Sequence, residues 1–148
     1  MPRAILLIIA IAMSAAAQAQ LPGLRRRPPV PTPPVLTGID AARADFIMKT
    51  GADTVYFGLD SALLGVPAKA TLAAQAQWLL QHPEIVVRIE GHGDPGDTRD
   101  HALAMGARRA EEVRSYLVLL GVPAAQLAIT SWGKERPGAG RAVTVLVR

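Results

Sequence analysis

A strand, a glycine-rich loop and a long helix within residues 85–121 constrain the fold more than any other segment of this chain. Apolar residues alternate through 85–90, which is typical of a strand with one apolar face. The loop holds three glycines, and either Asp97 or Thr98 is the expected N-cap of the helix, because a side-chain oxygen there accepts a free N–H group. Gly121 ends the helix, whose apolar residues recur at helical spacing: Ala102, Met105, Gly106, Ala110, Val113, Leu117 and Leu120.

Shorter patterns flank this unit. We predict a short helix from Ile39 to Met48 capped by Asp40, and a helix that begins at Val66-Pro67 and ends before Pro83, with Leu72, Gln75, Ala76 and Leu79 as its buried stripe. Strands are predicted at 54–57, 127–132 and 141–148, the last with Val143, Val145 and Val147 on one face.

The order of these elements predicts an α+β fold. A β-α-β-α-β-β chain places a parallel, right-handed crossover between the second and third strands, whereas the short turn at 133–140 favours an antiparallel partner for the last strand. The expected architecture is a two-layer sandwich, in which one mixed four-stranded sheet carries helices on one face.

The first 38 residues have the character of an export signal and a linker. Arg3, an apolar stretch from residue 4 to about 17, and the triplet Ala17-Gln18-Ala19 predict a signal peptide over residues 1–19, with an uncleaved membrane anchor as the alternative. Residues 20–38 contain six of the twelve prolines and are expected to form an extended linker. Residues 39–148 form the predicted domain, which is expected to be exported from the cytoplasm.

Charge and cysteine content exclude several classes of function. The net charge is +4, but Arg3, Arg25, Arg26 and Arg27 account for four of the sixteen basic residues, and the other twelve match the twelve acidic residues. Nucleic acid is therefore not an expected partner. Arg25, Arg26 and Arg27 either contact an anionic membrane surface or lie in a solvated spacer. The chain has no cysteine, which excludes disulfides, thiolate metal sites and a lipid attached through an N-terminal cysteine.

Two chemical interpretations of the loop are weak. Residues 91–96 match GxGxxG after a strand and before a helix, but residues 131–133, at the end of the next strand, include no acidic residue to hold a ribose. A metal site is suggested by His92, Asp94, Asp97, Asp100 and His101, although their spacing matches no known ligand template. No cofactor is expected, and neither GxSxG nor HExxH is present, so we expect no enzymatic activity.

A site for a small charged group fits the loop better. A glycine-rich turn that leads into a helix presents free N–H groups to an anion, Asp94 can pair with an ammonium group, and Arg109 can bind a carboxylate through two hydrogen bonds. The two residues are 15 positions apart and approach each other if the loop folds back over the helix. The residues alone leave open whether this pair is a ligand site or a structural salt bridge.

Several segments of the chain together match the motifs of one known family: VYF at 55–57, DS at 60–61, AKATL at 68–72, EGHGD at 90–94, LAMGARRA at 103–110, YL at 116–117, GV at 121–122 and SWGKERP at 131–137. From about residue 52 to 148 the sequence is similar to the OmpA-like peptidoglycan-binding domain, of the peptidoglycan-associated lipoprotein type. The resemblance implies the same sandwich fold, a periplasmic location associated with the outer membrane, and non-catalytic binding of the diaminopimelate residue of the stem peptide. It also implies Asp94 and Arg109 as ligand contacts, with Phe57, Asp60, Thr98 and Arg141 lining the groove.

The chain departs from the family pattern at several positions. Gly58 and Ala102 stand where the family has polar residues. Gly140-Arg141-Ala142 replaces an Asn-Arg-Arg sequence, and the loop after Pro137 is short. The cysteine of the lipoproteins is also absent. Each of the first four changes removes a polar contact or a wall of the groove. The alternative function is therefore a degenerate scaffold that acts as an envelope protein-interaction module without binding the wall.

Overall fold

The computed structural model describes residues 38–137 and 140–147. The predicted signal peptide, residues 1–19, and the linker residues before Gly38, including Arg25, Arg26 and Arg27, lie outside this part. The helices are α1 (Ile39–Thr50), α2 (Val66–Gln81) and α3 (Arg99–Leu119), and a 3-10 turn spans Ala124–Gln126. The strands are β1 (Thr54–Tyr56), β2 (Val87–His92), β3 (Leu127–Gly133) and β4 (Arg141–Leu146). Within the described residues, no helix is both long enough and apolar enough to cross a membrane.

The four strands form one mixed sheet in the order β1-β4-β2-β3. β2 and β3 are parallel, as the crossover through α3 predicts, and β4 runs antiparallel to both β1 and β2. The α+β prediction with a mixed four-stranded sheet is confirmed. The last strand has antiparallel partners as expected, but it does not pair with β3, which precedes it. The chain passes β2 and inserts β4 into the gap between β1 and β2.

The start of α1 differs from the prediction. Gly38 is the N-cap residue, no side chain caps the helix, and Asp40 lies in the first turn, where it pairs with Arg43 at 3.3 Å. The prediction that Asp40 caps this helix is therefore wrong. Gly38 has φ 62 and ψ −127, a backbone conformation that glycine adopts readily. It takes the N-cap position, and the helix begins directly after it at Ile39. In the first turn the Asp40 carboxylate still lies near the positive end of the helix dipole.

The core lies between the sheet and the helices. The predicted stripe of α2 is buried, and Trp78 packs beside it with its ring edge-on to Phe46 at 5.1 Å. On β4 the residues that face the helices are Ala142, Thr144 and Leu146, so Val143 and Val145 share the outer, half-buried face and Val147 follows the strand. A polar residue is tolerated at Thr144 because its hydroxyl bonds Gln75 Oε1 at 2.9 Å.

Glycines at the end of β2 bring α3 close to the sheet. A Cβ atom on Gly91 would lie 1.8 Å from the carbonyl oxygen of Gly106, and one on Gly93 would lie 2.4 Å from that of Ala102. Only glycine permits such an approach at these positions. The first half of α3 therefore lies directly against the end of β2, and this packing sets the position of the loop that contains Asp94.

Candidate functional site

Asp94 and Arg109 form a buried, bidentate ion pair. Asp94 follows β2 by two residues, and Arg109 projects from the middle of α3 toward it. Arg109 Nη1 lies 3.1 Å from Asp94 Oδ1, and Nη2 lies 3.1 Å from Oδ2. The exposed fractions of the two side chains are 0% for Arg109 and 6% for Asp94. The fold thus brings together the two residues that the motif spacing singled out.

Arg109 uses all five of its N–H groups. Nε donates to the carbonyl of Ser61 at 2.8 Å, Nη1 to that of His92 at 2.8 Å, and Nη2 to that of Gly58 at 3.0 Å, in addition to the two bonds to Asp94. A guanidinium group has five such donors. Arg109 therefore ties α3 to the end of β2 and to the turn after β1, and it has a structural role whether or not it also contacts a ligand.

The Asp94 carboxylate is held in its ionised form. Its Oδ2 atom also accepts the backbone N–H of Asp60 at 2.8 Å. The hydrogen bond from Arg109 lowers the pKa of Asp94, which burial opposes, and the Asp60 N–H together with the charges of Arg109 and His101 lowers the pKa further. The site therefore presents one negative and one positive group, both shielded from solvent.

Of the other four predicted site residues, two contact this ion pair and two form hydrogen bonds with other groups. The Phe57 ring centroid is 5.6 Å from the Arg109 guanidinium carbon, and Asp60 contacts Asp94 through its backbone. Thr98 is the N-cap of α3, since its hydroxyl accepts the N–H of His101 at 3.3 Å. Arg141 begins β4 on the outer face of the sheet, and its Nη2 donates to the carbonyl of Pro137 at 2.7 Å. Phe57 and Asp60 thus adjoin the ion pair, whereas Thr98 and Arg141 have these other bonding partners.

His101 is a neighbour of the site that the periodicity and motif arguments did not identify in this role. Its Nε2 atom is 2.9 Å from Asp60 Oδ1 and 3.7 Å from Asp97 Oδ2. The sequence marked His101 only as a candidate metal ligand. Its contact with Asp60 joins residues that are 41 positions apart, so no local spacing could indicate it.

The metal and dinucleotide interpretations gain no support from the geometry. In the described residues, no group of three or more His, Asp or Glu side chains is arranged to hold a metal ion. His92 is buried, and burial and then the charge of Arg141 lower its pKa. Gly91 and Gly93, which spell part of GxGxxG, face α3 and serve helix–strand packing.

Gly140 lies above the carboxylate. Its N–H donates to the carbonyl of Gly93 at 3.2 Å, and its carbonyl accepts the N–H of Phe57 at 2.6 Å. It has φ 61, and a Cβ atom there would lie 3.4 Å from Asp94 Oδ1. At this position the chain therefore places only backbone over the ion pair.

Comparisons with known proteins agree with this fold. Residues 56–145 match the OmpA family. The chain is 43% identical over 116 residues to the peptidoglycan-associated lipoprotein of Rhizobium meliloti, covering 71% of this chain and 65% of that protein. It is 42% identical over 113 residues to the protein of the same name from Brucella melitensis, covering 69% and 67%. The chain thus spans about two thirds of the length of these relatives.

Solved structures show the same architecture. The crystal structure of the peptidoglycan-associated lipoprotein from Burkholderia pseudomallei superposes with a TM-score of 0.63 at 37% identity, covering 66% of this chain and 92% of that one. The C-terminal domain of Helicobacter pylori MotB has a TM-score of 0.58 at 19% identity, covering 65% and 84%, and shares the fold alone. The match to the family covers more than half of the chain, and the fold agrees with it; the chain belongs to the OmpA family.

Proposed function

We propose that this chain is a non-catalytic module that binds peptidoglycan and links the cell envelope to the wall in the periplasm, near the outer membrane. The observation that carries this proposal is the buried, bidentate Asp94–Arg109 pair at the end of β2. The relatives that share about 42% identity are named for association with peptidoglycan. Membership of the OmpA family supports the same role.

The chemistry of the pair indicates the part of the wall that it contacts. Diaminopimelate keeps one free amino-acid end in the stem peptide, and that end carries an ammonium and a carboxylate. Asp94 matches the ammonium and Arg109 the carboxylate, and bidentate arginine–carboxylate bonds are among the stronger charge-assisted hydrogen bonds. Binding by charge pairing requires no cofactor.

Sedimentation with purified sacculi tests the proposal. We expect Asp94→Asn to reduce the bound fraction at least tenfold, because a neutral amide gives a ligand ammonium no charge partner. Glu112, whose carboxylate on α3 is exposed, provides the control Glu112→Gln, which should bind as the unmodified chain does. Circular dichroism identifies the folded fraction, to which binding is normalised. Equal retention of the folded Asp94→Asn variant contradicts the proposed site.

Competition with small molecules tests the ligand. Diaminopimelate should displace the protein from sacculi, whereas Nα-acetyl-lysine amide, whose free end carries an ammonium but no carboxylate, should compete at least tenfold more weakly. Equal competition by the two compounds contradicts the diaminopimelate assignment and leaves peptidoglycan binding itself intact.

A second function is favoured by one surface feature. Leu59, Leu63 and Val66, near the turn beside the ion pair, are exposed by 86%, 79% and 82%. Exposed apolar groups of this kind often mark protein-interaction surfaces. A degenerate scaffold that binds an envelope protein, and not the wall, would fail to sediment with sacculi in the unmodified form, which separates the two functions.

A further inference from the structure

The turn at residues 58–61, here called the strap, covers the ion pair. It is closed by a hydrogen bond from the N–H of Ser61 to the carbonyl of Gly58 at 3.2 Å. Within it Asp60 has φ 47, a left-handed conformation that few residues other than glycine adopt without cost. A non-glycine residue in this conformation persists when surrounding contacts hold it there.

The strap contacts the ion pair in the same way that a bound amino acid would. Its carbonyl oxygens at Gly58 and Ser61 accept hydrogen bonds from Arg109, at 3.0 and 2.8 Å, where a ligand carboxylate would bind. Its Asp60 N–H donates to Asp94 at 2.8 Å, where a ligand ammonium would bind. Arg109 has no exposed surface in this arrangement, so a ligand reaches it only if the strap is displaced.

His101 holds the strap from the outside. Its Nε2 atom is 2.9 Å from Asp60 Oδ1 and 3.7 Å from Asp97 Oδ2, and that Asp97 oxygen is buried without a hydrogen-bond partner among the described residues. The other charged groups nearby are Asp94 beneath the strap and Lys134, whose Nζ donates to the Asp97 carbonyl. The imidazole of His101 on α3 therefore bonds the side chain of Asp60 on the strap and lies beside Asp97.

We propose that the strap occupies the ion pair in place of the ligand, and that His101 is a positioning residue that latches the strap through Asp60. This inference rests on the proposed function, because it describes regulation of that site. His101 is about half exposed, and an exposed contact of this kind corresponds to an effect on the affinity for diaminopimelate of about two- to fivefold.

The latch can be tested without a ligand. In His101→Gln, hydrogen exchange of the Asp60 amide should be several times faster than in the unmodified chain, because the ring that holds the side chain of Asp60 is lost. His82→Gln is the matched control, since His82 stacks on Trp78, pairs with Glu84 and is not bonded to the strap. Unchanged Asp60 exchange in His101→Gln overturns the latch.

Displacement of the strap is tested by calorimetric titration with diaminopimelate. His101→Gln should bind about two- to fivefold more tightly than the unmodified chain and His82→Gln, because a strap without its latch is displaced at a lower cost. Equal or weaker binding by His101→Gln overturns the inference. If none of the proteins binds, the proposed function fails, and the Asp60 amide still decides whether His101 latches the strap.

Discussion

At the scale of single residues, Arg109 has the structural role that the sequence left open, and we propose that it also contacts a ligand. Its five hydrogen bonds satisfy a fully buried guanidinium group without any ligand, as expected of a structural residue. It also pairs with Asp94, whose negative charge would complement the ammonium group of an amino acid. The two roles are compatible when the ligand replaces the strap as the partner of the pair.

The ionisation of Asp94 predicts a pH-dependent stability. Its pKa in the folded chain lies below the ordinary value of 3.8, so it stabilises the fold above that value, and this contribution is lost as the pH falls through the folded pKa. At pH 7, Asp94→Asn leaves the Arg109 charge without its buried counterion and should lower the free energy of unfolding by about 3–5 kcal/mol. Urea unfolding at pH 7 and at pH 3 measures this difference.

The difference between the unmodified chain and Asp94→Asn should shrink at pH 3, because protonation removes the same negative charge. The Glu112→Gln control should follow the unmodified chain at both pH values. A difference of the same size at pH 3 as at pH 7 would show that the charge of Asp94 is not the source of the stabilisation.

At the scale of elements, the contact between β2 and α3 determines where the site forms. Gly91 and Gly106 face each other across this contact, and a Cβ atom on Gly106 would lie 2.4 Å from the Ser131 hydroxyl. The close approach places Arg109 within reach of Asp94. Thr98 supports the same helix by capping its first turn, which explains its polar character without a ligand.

Substitution of Gly91 tests this close packing. Gly91→Ala places a methyl group 1.8 Å from the backbone oxygen of Gly106, which no side-chain rotation relieves, so the free energy of unfolding should fall by about 1–3 kcal/mol or more. Gly96→Ala is the control, because a Cβ atom there has no neighbour within 4 Å. Thermal unfolding of both variants gives the comparison, and equal melting temperatures would contradict a packing role for Gly91.

At the scale of the whole molecule, Gln126 connects segments that are distant in the sequence. Its buried amide nitrogen donates to the carbonyls of His82 and Ile85, both at 3.0 Å, and so joins the end of α2 and the start of the β2 region to the turn before β3. Buried carbonyl groups that lose such a donor cost free energy. Gln126 therefore holds these segments together at the end of the sheet where β2 and β3 begin.

Gln126→Leu should lower the free energy of unfolding by about 1–3 kcal/mol, because at least two carbonyl groups lose their donor while the volume is nearly kept. Gln77→Leu changes an exposed glutamine on α2 and is the matched control. Urea unfolding measures both variants. A loss as small as that of the control would mean that water replaces the Gln126 amide.

Local periodicity was sufficient to predict most elements of this fold. The stripes of α2 and α3 and the crossover between β2 and β3 depend on residues close in sequence, and the structure confirms them. The cap of α1 was predicted wrongly because the unusual backbone of Gly38 carries no side-chain signal. The place of β4 between β1 and β2 was not predicted, since strand order depends on which edges remain free after the helices pack.

The sequence by itself determined the character of the site: a glycine-rich loop, a carboxylate and an arginine 15 residues apart, at the start of a capped helix. Only the tertiary structure decided how the pair is occupied. The carbonyls of Gly58 and Ser61 reach Arg109 across 51 and 48 residues, and His101 reaches Asp60 across 41. Backbone groups are the same in every residue, so their contacts leave no sequence pattern and arise only when helix and sheet pack together.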